Sequence, residues 1–324
     1  MGTDKPLIAI LMAVYEPRMD WLKEQLDSLN AQTYPNLRLY IRDDCSPTVS
    51  YEDIKALAAQ CVSAFPYTIR RNEENLGSNQ TFERLTAEAA GEYFAYCDQD
   101  DVWLPEKLGV LQEALERERA ELVCSDMYII DENGRQTAES MTKVRRHHVF
   151  RSGEGLAPKL LISNFVTGCT MLVRAEQARA AIPFCPYMVH DHYLALWCAE
   201  QGKIISLPDR LIRYRIHSNN QTLMMAGVSD KKSYLDVRIR ELIHRLSWLG
   251  ERFRGHGELS HEINRALAWA QAREDAFTGQ FKSKRTVWAN RDFSPLTSLF
   301  EIVMAGAPNR VFMWFVNLKR KNVI

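Results

Sequence analysis

Three carboxylates fall within four positions of one loop. Asp98, Asp100 and Asp101 directly follow an apolar, aromatic run at 93–96, which predicts a buried strand. Pro105 precedes leucines at helical spacing and predicts the start of a helix. The acids are therefore expected where a strand ends and a helix begins, which is the rim at which open α/β sheets bind ligands.

Crowded carboxylates repel one another, so this loop needs a positively charged partner to stay ionised. Mg²⁺ and Mn²⁺ prefer hard oxygen ligands and commonly bridge carboxylates to the phosphates of a substrate. Taken alone, the same residues fit equally well a solvated acidic loop that caps the following helix. The other motifs of the chain are needed to decide between a metal site and a helix cap.

The composition is that of a folded protein with a full-sized core. Of 324 residues, 46% are hydrophobic and 25% are charged, which excludes a disordered chain. Lys+Arg and Asp+Glu number 41 each, so non-specific nucleic-acid binding is not expected. The seven scattered cysteines form no Cys-x-x-Cys pair, and they favour a reducing cytoplasm. No signal-peptide pattern is present at residues 1–6, and no apolar run approaches the ~18–20 residues of a membrane span.

The first hundred residues alternate between strand and helix patterns. Strands are predicted at 7–13, 37–41, 67–70 and 93–97, with an amphipathic helix between each pair. This alternation predicts a parallel sheet with right-handed crossovers. Acids follow three of these strands, and because parallel strands end at one edge, the acids are expected to line one cleft. Helix capping explains one acid per loop but not the doubled acids at 43–44 and 98–101.

The middle of the chain is less regular. Further strands are predicted at 122–128, 170–173, 203–207 and 211–216, and a helix opens near 190. Residues 135–158 are polar and predict a mobile loop. Its basic cluster either meets an anionic ligand or forms a solvated basic face. The cluster comprises Lys143, Arg145, Arg146, His147 and His148.

A change of composition near residue 225 predicts a boundary between residues 1–225 and a helical C-terminal region, 226–324. Leucines and isoleucines at helical spacing predict two amphipathic helices between 235 and 270. The aromatic run at 311–316 precedes three basic residues at 319–321. This ending fits contact with an anionic membrane face, or packing against the chain itself or a second copy in a homodimer.

The ordered strand-end motifs resemble those of family-two inverting glycosyltransferases with the GT-A fold. In chain order the motifs are Ala13-Val14-Tyr15-Glu16, Arg42-Asp43-Asp44-Cys45-Ser46, Asn75-Leu76-Gly77-Ser78-Asn79, Asp98-Gln99-Asp100-Asp101-Val102-Trp103-Leu104-Pro105, Thr167-Gly168, His190-Asp191 and Tyr214-Arg215-Ile216-His217. The resemblance spans the N-terminal region and, within the family, is strongest to bacterial rhamnosyltransferases of surface-polysaccharide pathways. It implies a Rossmann-like, mostly parallel α/β sheet flanked by helices, with a helical C-terminal appendage. It also fits a cytoplasmic protein, with peripheral contact at the inner membrane face as one alternative.

The resemblance also implies a role for each motif. Donor and nucleotide contacts would be made by Ala13, Val14, Tyr15, Glu16, Asp43, Asp44, Asn75, Gly77, Asn79, Asp98 and Asp101. The ligands of Mn²⁺ or Mg²⁺ would be Asp100, Asp98 and His217. Asp191 would be the catalytic base, and the acceptor side would include Trp103, Thr167, Gly168 and His190. Many family members have Glu-Asp where this chain has His190-Asp191, so the contact at 190 departs from the pattern.

The implied reaction moves a sugar from a nucleoside-diphosphate sugar, with dTDP-rhamnose as one candidate, to a hydroxyl of a glycan or lipid-linked glycan. A divalent ion would stabilise the leaving diphosphate, and Asp191 would take the hydroxyl proton, giving inversion in one displacement. Capping of the following helix is the alternative role for Asp191. The alternative functions are a nucleotidyltransferase, disfavoured because residues 13–17 lack glycine, and a non-catalytic glycan-assembly protein.

Overall fold

The computed structural model describes residues 5–145, 148–217 and 227–320, with the backbone alone for 319 and 320. The chain divides into two compact units. Unit 1 comprises Met1–Leu160, Asn164–Phe184 and Met188–Ser218. Unit 2 comprises Leu161–Ser163, Cys185–Tyr187 and Asn219–Ile324. The boundary predicted near residue 225 lies outside the described residues.

Nine strands in the described part of unit 1 form one sheet. They are β1 (Ile8–Val14), β2 (Leu37–Asp43), β3 (Tyr67–Arg71), β4 (Tyr93–Cys97), β5 (Val102–Trp103), β6 (Leu122–Ile130), β7 (Gln136–Ala138), β8 (Met171–Arg174) and β9 (Ile204–Arg215). The sheet order is β3-β2-β1-β4-β8-β6-β9-β5, with β7 paired to β6. Neighbours among β1 to β4 are parallel, and β8 is antiparallel to both β4 and β6. The predicted α/β fold with a mostly parallel sheet is confirmed.

Helices of unit 1 cover the sheet and link its strands. They are α1 (Met19–Asn30), α2 (Tyr51–Cys61), α3 (Gly77–Glu88), α4 (Lys107–Glu118), α5 (Met141–Val144), α6 (Ala157–Leu160), α7 (Ala175–Ala180) and α8 (His190–Gln201). The apolar face of α1 shows why they pack there: Leu22, Leu26 and Leu29 are almost fully buried. Each such side chain contributes roughly 1.5–3 kcal/mol by leaving water. The apolar patterns thus place the helices against the sheet.

Two predictions about the second half of unit 1 were wrong. The strands predicted at 203–207 and 211–216 are one strand, β9, which pairs in parallel with β6. Its register shifts so that Ser125 faces Leu207 while Asp126 faces Arg210. The intervening Pro208 therefore marks a bulge instead of a strand end, which is where a sheet tolerates proline. The loop predicted over 135–158 contains β7 and α5, while Arg146 and His147 lie outside the described residues.

Unit 2 is helical throughout its described regular elements. These are α9 (Lys231–Tyr234), a π-helical turn (Leu235–Arg240), α10 (Glu241–Arg252), α11 (Gly257–Phe277), α12 (Lys284–Ala289), α13 (Pro295–Met304) and α14 (Asn309–Arg320), with short 3₁₀ turns at Phe281–Ser283 and Arg291–Phe293. Arg273 and Glu301 form a buried bidentate pair at 2.5 and 2.7 Å. Tyr234 donates to the same carboxylate over 2.6 Å. None of the described helices combines the length and the apolar character that crossing a membrane requires.

Candidate active site

The carboxyl ends of β1, β2 and β4 meet at one edge of the unit 1 sheet. In the parallel register Val14 lies opposite Asp43, and Met12 lies opposite Cys97. The Asp44 amide donates to the Val14 carbonyl over 2.7 Å. Val14 itself is 1% exposed, so its backbone, not its side chain, reaches the edge. The predicted convergence of the strand-end loops is therefore present.

Gln99 joins the first loop to the fourth, although the sequence suggested no role for it. The Tyr15 amide donates to Gln99 Oε1 over 2.8 Å, and Gln99 Nε2 donates to the Tyr15 carbonyl over 3.0 Å. The Tyr15 side chain remains 44% exposed, and Ala13 is half-buried. An amide that pairs with a peptide in both directions fixes the loop backbone and leaves the tyrosine ring open to a ligand.

Asp44 is held by three donors. Asn72 Nδ2 and the Leu76 amide donate to Asp44 Oδ1 over 2.7 and 2.9 Å. The Gly77 amide donates to Oδ2 over 2.8 Å. Gly77 is the first residue of α3 and has a φ of +79°, which favours glycine. Asp44 thus accepts hydrogen bonds from two amides at the N-terminus of α3, although it lies in another loop. With three donors bound, about one of its four acceptor positions is left for a ligand.

Asn72 is a second residue that the sequence analysis missed. It is 3% exposed, and it donates to Asp44 and to Thr81 Oγ1 while accepting from Arg42 over 3.0 Å. The predicted donor contacts Asn75 and Asn79 lie beside it, exposed and half-buried respectively. With Arg84, which also donates to its Oδ1, the buried asparagine has four side-chain partners and rigidifies the loop that carries those two residues.

Asp43 and Glu16 are also engaged by their own loops. Asp43 Oδ1 accepts from the Ser46 hydroxyl over 2.6 Å, and Arg71 Nε lies 3.2 Å from its other oxygen. Glu16 accepts from the Thr48 amide over 2.8 Å and from the Thr48 hydroxyl, which lowers the pKa of the Glu16 carboxyl. Glu16 has a φ of 45°, which is unfavourable for a residue with a side chain. The backbone of the turn after β1 is therefore strained at the residue whose carboxylate contacts Thr48. The contacts described for these two acids stabilise the cleft wall.

Two of the acids after β4, Asp98 and Asp101, have strongly raised pKa values. No hydrogen bond to the Asp98 carboxylate is present among the described residues. Removal from water, with the charges of Asp100 and Asp191 nearby, raises the pKa of Asp98 to about 7. Burial, with the charges of Asp100 and Asp98 nearby, raises the pKa of Asp101 well above its ordinary range. Lys107, fully buried, has its own pKa lowered to about 7 by burial. Burial and mutual repulsion therefore oppose ionisation of Asp98 and Asp101 at this loop.

Arg215 connects the end of β9 to this acidic loop. Its amide donates to Asp101 Oδ1 over 2.9 Å, and its Nε donates to the Asp100 carbonyl over 2.8 Å. Its Nη2 pairs with Glu24 at 2.5 Å, and the side chain is 1% exposed. The arginine was part of a recognised motif, but it had no predicted role. The feature of the sequence that could have indicated a role for Arg215 is its position two residues before His217, a predicted metal ligand.

The predicted metal ligands form two neighbouring groups. His217 Nε2 lies 2.8 Å from Asp100 Oδ2, and Trp21 packs against the imidazole with ring centroids 4.9 Å apart. Asp98 groups instead with Asp101 and Cys169, whose potential ligand atoms lie within 4.8 Å of one another. Burial raises the pKa of the Cys169 thiol, so it stays protonated and is a poor ligand for a hard cation. Asp100 and His217 offer the oxygen and nitrogen donors that suit Mn²⁺.

Asp191 stands in the first turn of α8 and is oriented by residues outside that helix. Asn164 Nδ2 donates to its Oδ1 over 3.2 Å, and the Gly168 amide donates to its Oδ2 over 2.9 Å. The N-cap position belongs to Val189, and Asp191 is the second residue of α8. Burial raises the pKa of Asp191 to about 6, against the lowering effect of the Gly168 bond. Asn164 is a further residue that the sequence analysis missed.

Two predicted acceptor-side residues are buried. His190 is 7% exposed, its ring centroid lies 4.0 Å from that of Phe82, and burial lowers its pKa to about 3. A Cβ on Gly168 would stand 2.7 Å from His190 Nε2, so only glycine fits there. Trp103 is 2% exposed, with Lys107 Nζ 2.9 Å from its ring centroid. The acceptor-side role of Trp103 stays a prediction, and its side chain is almost fully buried. Of the four predicted acceptor-side residues, Thr167 is half-exposed.

A family model described as Glycosyl transferase family 2 matches residues 9–176, which is more than half of the chain. The chain belongs to glycosyl transferase family 2. The match begins in β1 and ends in α7, so it includes the acidic loop at 98–101 and stops short of Asp191. The family match therefore covers the loops after β1, β2 and β4, while the position of Asp191 rests on the geometry above.

Relatives of this family-2 chain occur in bacteria and archaea. An uncharacterized protein of Mycobacterium tuberculosis is 26% identical over 253 residues, covering 77% of this chain and 70% of that protein. An uncharacterized glycosyltransferase of Methanocaldococcus jannaschii is 33% identical over 132 residues, covering 40% and 45%. An uncharacterized glycosyltransferase of Nostoc sp. is 26% identical over 219 residues, covering 65% and 66%.

Solved structures share the GT-A fold with this family-2 chain. S. aureus TarS 1-349, in complex with UDP-GlcNAc, superposes with a TM-score of 0.57 at 17% identity, covering 92% of this chain and 81% of TarS 1-349. The mannosyltransferase PcManGT of Pyrobaculum calidifontis, in complex with GDP-Man and Mn²⁺, gives a TM-score of 0.53 at 15% identity, covering 94% and 86%. At such identities the likeness establishes the fold.

Proposed function

We propose that this chain transfers a sugar from a nucleoside-diphosphate sugar to a glycan hydroxyl with inversion at the anomeric carbon. The observation that carries the proposal is the Asp191 carboxylate, held by Asn164 and Gly168 beside the acidic loop of β4, with its pKa raised to about 6. A carboxylate with that pKa is largely ionised at neutral pH, yet it is a better proton acceptor than an ordinary aspartate. Membership of a glycosyl transferase family supports the reaction class.

Asp191 keeps one carboxylate orientation through two donors, one to each oxygen. Each oxygen retains an acceptor position for the proton of an acceptor hydroxyl. Proton removal from the hydroxyl oxygen makes it nucleophilic as it forms the new bond to the anomeric carbon. The nucleoside diphosphate leaves from the opposite face with the bonding electron pair, which inverts the configuration. The hydroxyl proton stays on Asp191 until solvent removes it.

Asp100 and His217 would hold a divalent ion, with Asp98 beside them. Burial and the neighbouring acids oppose ionisation of Asp98, and a bound cation would favour its ionised form. When bound, such an ion would stabilise the negative charge that develops on the leaving diphosphate. Arg215 Nε donates to the Asp100 carbonyl, and this hydrogen bond fixes the backbone that carries the Asp100 carboxylate. Mn²⁺ in the PcManGT complex is consistent with this choice of ion.

The donor would lie against the loops after β1 and β2. The open Tyr15 ring, half-buried Ala13 and exposed Asn75 are available to a nucleotide there, while Asp43, Asp44, Glu16 and Gly77 shape the wall. TarS binds UDP-GlcNAc and PcManGT binds GDP-Man, so the nucleotide must be tested directly. We keep dTDP-rhamnose as one candidate donor, and a glycan or lipid-linked glycan of bacterial surface polysaccharide as the acceptor.

Thermal shift with a panel of nucleoside diphosphates, with and without Mn²⁺, tests the donor site first. A ligand selective for the folded state adds about 2.7 kcal/mol at a hundred times its dissociation constant, which is easily detected. Metal-dependent stabilisation by one nucleoside diphosphate is expected, followed by sugar transfer from the matching donor. Release of pyrophosphate instead would indicate a nucleotidyltransferase. A folded protein that binds no nucleotide would favour a non-catalytic assembly role.

A further inference from the structure

Helix α13 of unit 2 exposes an apolar stripe. Its outer face carries Leu296, Leu299 and Val303, which are 75%, 52% and 58% exposed. The spacings of three and four residues place them along one face. Its buried residues are Ser298, Glu301 and Met304. A water-facing helix has the opposite arrangement, so the apolar stripe of α13 marks a contact surface.

The stripe continues into an exposed aromatic ring. Gly306 follows Val303 at helical spacing, and a Cβ on Gly306 would stand 3.8 and 3.9 Å from two ring carbons of Phe281. Phe281 is 52% exposed, and Lys284 Nζ lies 4.9 Å from its ring centroid. The neighbouring helix α12 repeats this pairing of an exposed ring with a cation. There Trp288 is 49% exposed, and the Arg291 guanidinium lies 4.3 Å from its ring centroid.

The segment 281–310, which contains the stripe and both rings, has an excess of positive charge. Its basic residues are Lys282, Lys284, Arg285, Arg291 and Arg310, and its acidic residues are Asp292 and Glu301. Both acids are already paired within unit 2. Glu301 binds Arg273, and Asp292 binds Arg265 at 2.9 Å. Since the whole chain is balanced at 41 basic and 41 acidic residues, this positive excess is local.

We propose that segment 281–310 binds the surface of an anionic lipid bilayer. Aliphatic side chains on one helix face, aromatic rings at its border and basic residues around them are the features of a helix that lies in the interface. Anionic headgroups attract each nearby Lys or Arg, and the stripe enters the acyl boundary. A two-fold contact between copies of this chain is disfavoured, because it would bring together two surfaces with the same positive excess.

The proposed segment differs from the one that the sequence suggested. The aromatic run at 311–316 forms part of α14, and its Phe312 and Val316 are 0% and 1% exposed in the unit 2 core. Those two side chains are therefore not available to lipid. Vesicle binding is also independent of the proposed sugar transfer, so either proposal can fail without the other.

Co-sedimentation with vesicles tests the proposal. The full chain is mixed with vesicles of phosphatidylcholine alone or of phosphatidylcholine with phosphatidylglycerol, at low and high salt. Binding is expected only with phosphatidylglycerol, and high salt should weaken it. The triple variant L296S/L299S/V303S should lose most of the binding. Lys282→Gln with Arg285→Gln, both exposed, should weaken it on the order of thirtyfold, because each charge near the surface contributes about fivefold.

The matched control is V144S/V149S, which removes exposed valines of unit 1 and should bind vesicles like the parent chain. Unchanged circular dichroism and thermal midpoints verify that each variant folds. Equal binding to both vesicle types, or undiminished binding by the folded triple variant, overturns the proposal. So does a dimer in light scattering that the triple variant converts to a monomer while neither protein binds vesicles.

Discussion

The two acidic loops after β2 and β4 hold their charges in opposite ways, although both lie at the same edge of the sheet. After β2, Asp43 and Asp44 accept hydrogen bonds from Ser46, Asn72 and the first turn of α3. After β4, the Asp98 carboxylate has no donor among the described residues, and its pKa is raised to about 7 by removal from water and by neighbouring acids.

The difference shows that aspartate has two roles at the same edge of the sheet. A carboxylate with donors stabilises the fold, because its hydrogen bonds replace those it made to water. A carboxylate crowded by other acids destabilises the folded state while it is ionised, and a bound cation recovers that free energy. Doubling of acids in a strand-end loop therefore does not by itself indicate metal binding. Whether such acids favour a bound metal depends on how many hydrogen-bond donors surround their carboxylates.

The largest expected effect is on the base. Asp191→Asn should lower kcat by roughly 10²–10⁴-fold, because an amide cannot accept the hydroxyl proton. Nucleotide affinity should change little, since the side chain of Asp191 is held by Asn164 and Gly168. The same substitution at the exposed Asp209 is the control and should leave kcat unchanged. Transfer at the parent rate by the D191N variant would remove Asp191 from the mechanism.

The pH dependence should show the raised pKa of Asp191. The base acts only when deprotonated, so kcat should be flat above about pH 6 and fall about tenfold per unit below it. A rate profile measured from about pH 4.5 to 8, with metal saturating throughout, checks this. An acid limb near the ordinary aspartate value of about 4 would mean that burial does not raise the pKa as the geometry implies.

Arg215 tests whether the β4 loop is positioned from β9. Arg215→Lys keeps the charge but loses the planar fork that reaches both the Asp100 carbonyl and Glu24. We expect Mn²⁺-dependent nucleotide affinity to fall about tenfold, a loss of about 1.4 kcal/mol, while metal-independent affinity stays the same. Calorimetry with and without Mn²⁺ measures both. An equal loss in both would indicate a merely structural arginine.

Asp98→Asn should stabilise the metal-free protein. The pKa of Asp98 in the folded state exceeds the ordinary value of about 3.9, so ionisation costs stability. The cost is absent below about pH 4, grows as the pH rises and is complete above about pH 7. Thermal midpoints in chelator should therefore rise by several degrees at about pH 8 and converge with the parent chain near about pH 4. A lower midpoint for the D98N variant under the alkaline condition would contradict the comparison.

The matched change in the other loop should act in the opposite direction and more weakly. Asp44→Asn leaves one oxygen to serve the amides at the start of α3, so about 1 kcal/mol should be lost. For a unit of this size that corresponds to roughly 2–4 °C in Tm. If the D44N and D98N variants shift Tm in the same direction in alkaline buffer, donor supply does not distinguish the loops.

Local patterns predicted most of the framework. The apolar runs predicted strands at 7–13 and 93–97, and the structure has Ile8–Val14 and Tyr93–Cys97. Periodicity works there because burial on both faces leaves a continuous apolar signal. It failed at Pro208, where pairing with β6 continues through a bulge, and over 135–158, where β7 exists only because β6 offers an edge.

The sequence by itself determined which residue types stand at the strand ends and hence where acids, amides and the candidate base collect. Only the tertiary structure decided which acids are neutralised. The donors to Asp44, Asp191 and Asp101 come from Asn72, Asn164 and Arg215, which are 28, 27 and 114 residues away. Such contacts depend on how whole elements pack, and no local spacing encodes them. The same packing buried Trp103 and His190, which a motif alone had assigned to the acceptor.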